Sequence, residues 1–142
     1  MSVEFCDTNV IVYAYDRSAG AKHTQARLLM DRLWESQTGA LSVQIMQEAY
    51  VTLTRKLQPP YSMVDARQII ADLATWRSVV EPTRQDVLDA IDGGVRWGIS
   101  YWDALALTAA RRAGAAVVWS EDLNAGQSYD GIAVRSPFAS PR

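Results

Sequence analysis

One cysteine and one histidine occur among these 142 residues, and each scarcity closes off a class of chemistry. Cys6 alone excludes an intramolecular disulfide framework and any zinc site built on several thiolates. It reads as a small hydrophobe packed in a strand. His23 alone leaves little for reactions that need a histidine base or several imidazole ligands. No run of about 18 apolar residues is present, so no segment is expected to cross a membrane. The start of the chain lacks the basic stretch, apolar stretch and cleavage site of a secretory signal. The expected compartment is the cytoplasm. Lysine is scarce too: Lys22 and Lys56 stand against twelve arginines. Arginine forks suit bidentate phosphate contacts. A net charge of −2, however, does not advertise a nucleic-acid binder, and surface ion pairs would use the same arginines.

What is present is an ordinary globular balance, 49% hydrophobic and 21% charged. Residues 1–142 read as one domain, long enough to bury roughly two thirds of its unfolded surface. No internal repeat, low-complexity segment or linker interrupts it, and residues 136–142 read as a loose tail. Ser2–Cys6 can form a first strand, followed by a short helix over Val10–Asp16 and a loop over 17–22. From His23 to Gln37, Ala26, Leu29, Met30 and Leu33 fall at the spacing of an amphipathic helix. Ala40–Val43 is a short strand or the extended entry to a helix over 44–57, whose stripe is Met46, Ala49, Tyr50, Leu53 and Leu57. Gln58-Pro59-Pro60 stops that helix. A helix over Ser62–Thr75 carries Val64, Ile69, Ile70, Leu73 and Ala74, and Arg77–Glu81 is a candidate strand. Helices over Thr83–Trp97 (Val87, Leu88, Ile91) and Ser100–Ala113 precede the strand Ala115–Trp119. Ile132–Val134 is expected at the sheet edge. Such alternation predicts an α/β fold, a mostly parallel sheet of four or five strands with helices on both faces.

Four acids stand out against this background. Asp7 follows the first strand, and a carboxylate there lies where open α/β sheets place their ligand crevice. Asp7-x-Asn9 by itself is also what a helix cap looks like. Asp103, three residues after Ser100, fits a capping box, yet its face continues through Ala106, Leu107 and Ala110. A carboxylate on an inward face is costly unless paired or metal-bound. Asp122 follows Val117-Val118-Trp119 and shares Asp7's end of the sheet if the two strands are parallel. Glu48 lies outside its helix's apolar stripe, and Glu121 competes with Asp122. The four acids are read as marking the ends of four elements that converge on one crevice. At about 4 Å and an effective dielectric near 20, each like-charged pair costs roughly 4 kcal/mol. Such a site needs raised pKa values or divalent cations, and all-oxygen donors select Mg²⁺ or Mn²⁺ over zinc. Ions of this kind polarise phosphoryl oxygens and activate water without a histidine base.

The segments Asp7-Thr8-Asn9-Val10, Gln44-x-x-Gln47-Glu48, Ser100-Tyr101-Trp102-Asp103-Ala104-Leu105 and Ser120-Glu121-Asp122-Leu123-Asn124-x-Gly126-Gln127 together resemble PIN-domain proteins. More narrowly, they resemble the VapC-like toxins of bacterial type II toxin–antitoxin pairs. The resemblance runs from residue 3 to about 138. It implies a PIN-like three-layer α/β/α fold and a Mg²⁺- or Mn²⁺-dependent endoribonuclease that hydrolyses RNA phosphodiesters with metal-activated water. It also implies a small cognate antitoxin and a homodimer as partners. Carried over, Asp7, Glu48, Asp103 and Asp122 are the metal-binding acids, and Asn9 orients a carboxylate or water. Arg17, Lys22, Arg55, Lys56, Arg111 and Arg112 could guide an RNA backbone, although each reads more simply as solvated surface. Tyr101 and Trp102 could stack on bases, with core packing the simpler expectation for Trp102. Two rival readings stay open. A receiver or haloacid-dehalogenase-like phosphate-transfer module also has an acidic strand-end pocket, but it needs a lysine that Lys22 and Lys56 are poorly placed to supply. A non-catalytic RNA-binding protein would be indifferent to EDTA and to loss of the acids.

Overall fold

The computed structural model of the chain describes residues 2–124 and 126–138. In chain order the elements are β1 (Val3–Cys6), α1 (Thr8–Tyr13), a 3-10 turn (Arg17–Ala19), α2 (Ala21–Ser36), β2 (Gly39–Ser42), α3 (Val43–Arg55) and α4 (Met63–Ala74). They continue with β3 (Ser78–Val80), α5 (Arg84–Trp97), α6 (Tyr101–Arg112), β4 (Ala115–Trp119), β5 (Ser128–Tyr129) and β6 (Ile132–Arg135). Helix starts follow side-chain caps. Ser42, Ser62 and Ser100 each accept from a backbone N–H three residues on, and Thr83 and Asp86 form a reciprocal capping box.

The sheet has six strands in the order β3-β2-β1-β4-β6-β5, all parallel except the β5–β6 pair. From β1 the chain steps outward to β2 and β3, then returns to place β4 on β1's other side. Right-handed crossovers therefore put α1–α4 on one face and α5–α6 on the other. The reversal lies between β1 and β4, and their carboxyl ends, Cys6 opposite Trp119, open there. Phe5, Cys6, Leu41 and Val118 are buried at the centre, with Val10, Ile11, Leu33 and Leu107 packed on them from the helices. Burial pushes the Cys6 thiol well up, in keeping with a packing role. Among the described residues no helix is long and apolar enough to cross a membrane.

Two expectations are corrected. The sheet has six strands rather than four or five, and Ile132–Val134 is not its edge. β6 is flanked by β4 and by β5, which turns back through Asp130 and Gly131 at φ 52° and 88°. Positive φ at both central residues is the signature of a two-residue hairpin turn. The apolar residues of α5 also face outward: Val87, Leu88, Ile91 and Val95 are exposed, as is Val64 on α4. The buried side of α5 is instead Asp86, Ala90 and Gly93, small residues that let it lie close against Ala104 and Leu105 of α6. Of the expected loose tail, Ser136–Phe138 is described. Phe138 stacks edge-on against Tyr13 with ring centroids 5.0 Å apart, and residues 139–142 lie outside the described part.

Candidate active site

Asp7 extends β1 by one hydrogen bond, its N–H donating to the Trp119 carbonyl at 2.9 Å, and then caps α1. Its side chain is 8% exposed. Oδ1 accepts from the Thr8 N–H and Oδ2 from the Ser120 hydroxyl, both at 2.8 Å. Ser120 is fully buried and does double duty, since its Oγ also accepts from the N–H groups of Asp122 and Leu123 at 3.2 Å. One hydroxyl thus orients Asp7 and folds the turn that carries Asp122. Asp103 sits in the first turn of α6, its N–H bonded to Ser100 Oγ at 3.1 Å.

Glu48 corrects the picture of four element ends, for it lies mid-helix in α3, which begins at Val43. Thr8 Oγ1 donates to its Oε1 at 2.7 Å, and Gln44 Nε2 to its Oε2 at 3.3 Å. Asn9 reaches across to the loop after β4, accepting the Glu121 N–H at 3.1 Å, and its amide nitrogen is buried without a partner among the described residues. Glu121 itself is engaged elsewhere, accepting from Tyr13 at 3.0 Å and pairing with Lys22.

The electrostatics tie the acids together. Burial lifts the Asp7 carboxyl from 3.8 to about 6; its bonds from Ser120 and Thr8 oppose the rise, and Asp103 and Asp122 add to it. Asp103 is also raised, first by burial and then by Asp122 and Glu48, against the pull of Ser100. Among the described residues none of these four acids has a Lys or Arg partner, whereas Glu4, Asp86, Glu121 and Asp130 each do. Negative charge is therefore concentrated here with no ion-pair partner among the described residues.

No three His, Cys, Asp or Glu side chains among the described residues stand close enough to hold a metal ion as they lie. The donors nevertheless fit a hard dication in kind: carboxylate oxygens, without an ion pair among the described residues, on four elements, two of them raised by burial and further by neighbouring carboxylates. Mg²⁺ keeps several of its waters and is commonly held by only one or two carboxylates, so a closed protein shell is not required.

Beside the acids opens a cleft of about 820 Å³, whose walls include Asn9, Gln44, Glu48, Lys56, Trp102 and Asp122. Trp102 is 59% exposed rather than buried, because the buried side of α6 begins only at Ala104. Of the six cationic residues considered from the sequence, Lys56 lines the cleft, while Lys22, Arg111 and Arg112 are paired with Glu121, Asp130 and Asp86. Thr8, Gln44 and Ser120 stand in the segments that carry the family resemblance, but the sequence assigned them no role. The signal available for Ser120 was its position just after β4 and two residues before Asp122.

The sequence profile of the family described as PIN domain matches residues 5–127. No curated protein matches the sequence. Among solved structures, the chain is similar to the Mycobacterium tuberculosis toxin VapC20, described as cleaving the sarcin–ricin loop. The two share 22% identity over 84% of this chain and 89% of that one, with a TM-score of 0.65. VapBC2 from Rickettsia felis, bound to a promoter DNA fragment, matches at 11% identity over 94% and 98%, TM-score 0.64. FitAB bound to a DNA fragment matches at 16% identity over 99% of both chains, TM-score 0.68.

Proposed function

The chain belongs to the PIN-domain family, and on that premise we propose that its acidic cleft is the active site of an endoribonuclease dependent on Mg²⁺ or Mn²⁺. The observation that carries this reading is the set of four carboxylates, electrostatically linked and, among the described residues, without an ion-pair partner. Family membership and the likeness to an RNA-cleaving toxin support it. Asp7 and Asp103 are the principal ligands, with Asp122 and Glu48 completing the shell directly or through water. A bound dication would neutralise the pocket, polarise a phosphoryl oxygen and activate water for in-line attack.

The chain's own residues do the remaining work. Ser120 and the Thr8 N–H hold both Asp7 oxygens, so the carboxylate does not turn as substrate arrives. Asn9 keeps the loop carrying Asp122 against α1. Lys56 offers a phosphate contact at the cleft wall, and exposed Trp102 offers a face on which a base can stack. As partners we propose a small antitoxin, on the likeness to VapBC2 and FitAB, and a second copy of the chain, for which the exposed apolar stripe of α5 is available. The working place proposed for the protein is the cytoplasm.

The test is RNA cleavage by purified protein with Mg²⁺, Mn²⁺ or EDTA. Asp7→Asn and Asp103→Asn should each lower the rate more than about 100-fold, beyond what the outer partners of metal ligands cost, with the fold retained. Undiminished cleavage in both variants, or in EDTA, would remove the proposal. Phosphorylation by a small phosphodonor would favour a phosphate-transfer module instead.

A further inference from the structure

Gln44 stands one turn before Glu48 on α3 and is 7% exposed. Its amide nitrogen serves two acceptors at once, Glu48 Oε2 at 3.3 Å and the Trp102 carbonyl at 3.0 Å. Turning the amide over would set its oxygen against both acceptors, so the neighbours dictate its orientation. Trp102 immediately precedes Asp103. The other Glu48 oxygen is held by Thr8, which immediately follows Asp7. One carboxylate is therefore gripped by neutral donors, one of them on the element next to Asp7 and the other tied to the turn bearing Asp103.

Two details argue against mere packing. The oxygen of Gln44 is buried with no partner among the described residues, which disfavours the side chain as a source of stability. Both donors are uncharged, so they fix Glu48 without cancelling the negative charge a dication requires. A lysine or arginine would fix it as well and neutralise it.

Resting on the nuclease reading, we propose that Gln44, together with Thr8, is a positioning residue that sets the place of Glu48 relative to Asp7 and Asp103 and so tunes dication affinity.

The experiment is calorimetric titration of the full chain with Mn²⁺, without RNA, on wild type, Gln44→Leu, Thr8→Val, Thr8→Ser, Glu48→Gln, the double variant Gln44→Leu/Glu48→Gln, and Asp7→Asn, with circular dichroism confirming the fold. Gln44→Leu and Thr8→Val should each weaken Mn²⁺ binding by about 10–100-fold, the usual cost of losing an outer partner of a ligand. Thr8→Ser, which keeps the hydroxyl, should restore it. In the Glu48→Gln background, Gln44→Leu should cost less than about twofold, because contacting residues that act through one another are not additive. Wild-type affinity in the folded Gln44→Leu and Thr8→Val proteins overturns the proposal, and so does an equal loss with and without Glu48. If Gln44→Leu does not fold, the contrast between Thr8→Val and Thr8→Ser decides. Failure of wild type to bind Mn²⁺ removes the metal reading itself. Binding that Asp7→Asn abolishes while Gln44→Leu and Thr8→Val leave it intact removes this inference alone.

Discussion

Replacing Asp7 with Asn should make the metal-free protein more stable at neutral pH while destroying its activity. Burial is the main cause: it lifts the carboxyl from 3.8 in the unfolded chain to about 6 in the fold. The folded state therefore holds this proton more tightly than the unfolded state. That contribution to stability is fully present below about pH 4, declines as pH rises toward 6, and is gone above. Each tenfold difference in proton affinity is worth about 1.4 kcal/mol, so ionised Asp7 costs the native state about 3 kcal/mol at pH 7. Asn avoids that cost but loses the bond from the Ser120 hydroxyl, worth about 1 kcal/mol. The net gain is about 2 kcal/mol, or roughly 4–8 °C in melting midpoint for a chain of this size. Urea and thermal unfolding of both proteins in EDTA at pH 4, 5, 6 and 7 provide the assay. The variant should gain on wild type across that window and fall slightly behind at pH 4. With Mn²⁺ at 100 times its dissociation constant, wild type should recover about 2.7 kcal/mol by mass action and the order should reverse. A variant no more stable than wild type at pH 7, or a difference indifferent to pH, would refute the reasoning.

Other perturbations read different contacts. Ser120→Ala removes the donor to Asp7 and the acceptor for two backbone N–H groups, that of Leu123 buried, and should cost about 1–3 kcal/mol in urea unfolding. It should also raise the Asp7 carboxyl further, since the Ser120 bond now lowers it, a shift that carbon-13 NMR titration would register. Arg112→Met leaves Asp86, 4% exposed, without the guanidinium 2.6 Å away. A loss of about 2–3 kcal/mol in the same assay is expected, below the range for fully buried pairs because Arg112 is itself half exposed. Gly39→Ala would bring a Cβ within 2.5 Å of the Trp76 ring. It should cost about 1–3 kcal/mol and shift tryptophan emission as the ring is displaced.

Much of this molecule was legible from local pattern. Helical spacing located α2, α3, α4 and α6, and the run Ala115–Trp119 gave β4 its observed bounds. Asp7 and Asp103 were conspicuous because carboxylates stood where apolar or capping residues were enough. Other features depend on which elements meet. The apolar stripe of α5 reads like a core face, but α6 offers it small residues and takes Ala90 and Gly93 instead. The Asp130-Gly131 turn was readable as a hairpin signal, though Ser128–Tyr129 is too short to announce a strand. Ser120 and Gln44 reach the other acids' elements through partners 113 and 58 residues away in sequence. No periodicity encodes such pairings.

The placement of β1 between β2 and β4 also bears on when this pocket can exist. On a ribosome, Asp7 emerges well before Trp119 and Ser120, which wall it in and come more than a hundred residues later. A nascent chain that stops short of β4 carries three of the four acids yet has no enclosure around them. The four acids can therefore be gathered into one walled pocket only after β4 and the turn that follows it have been made.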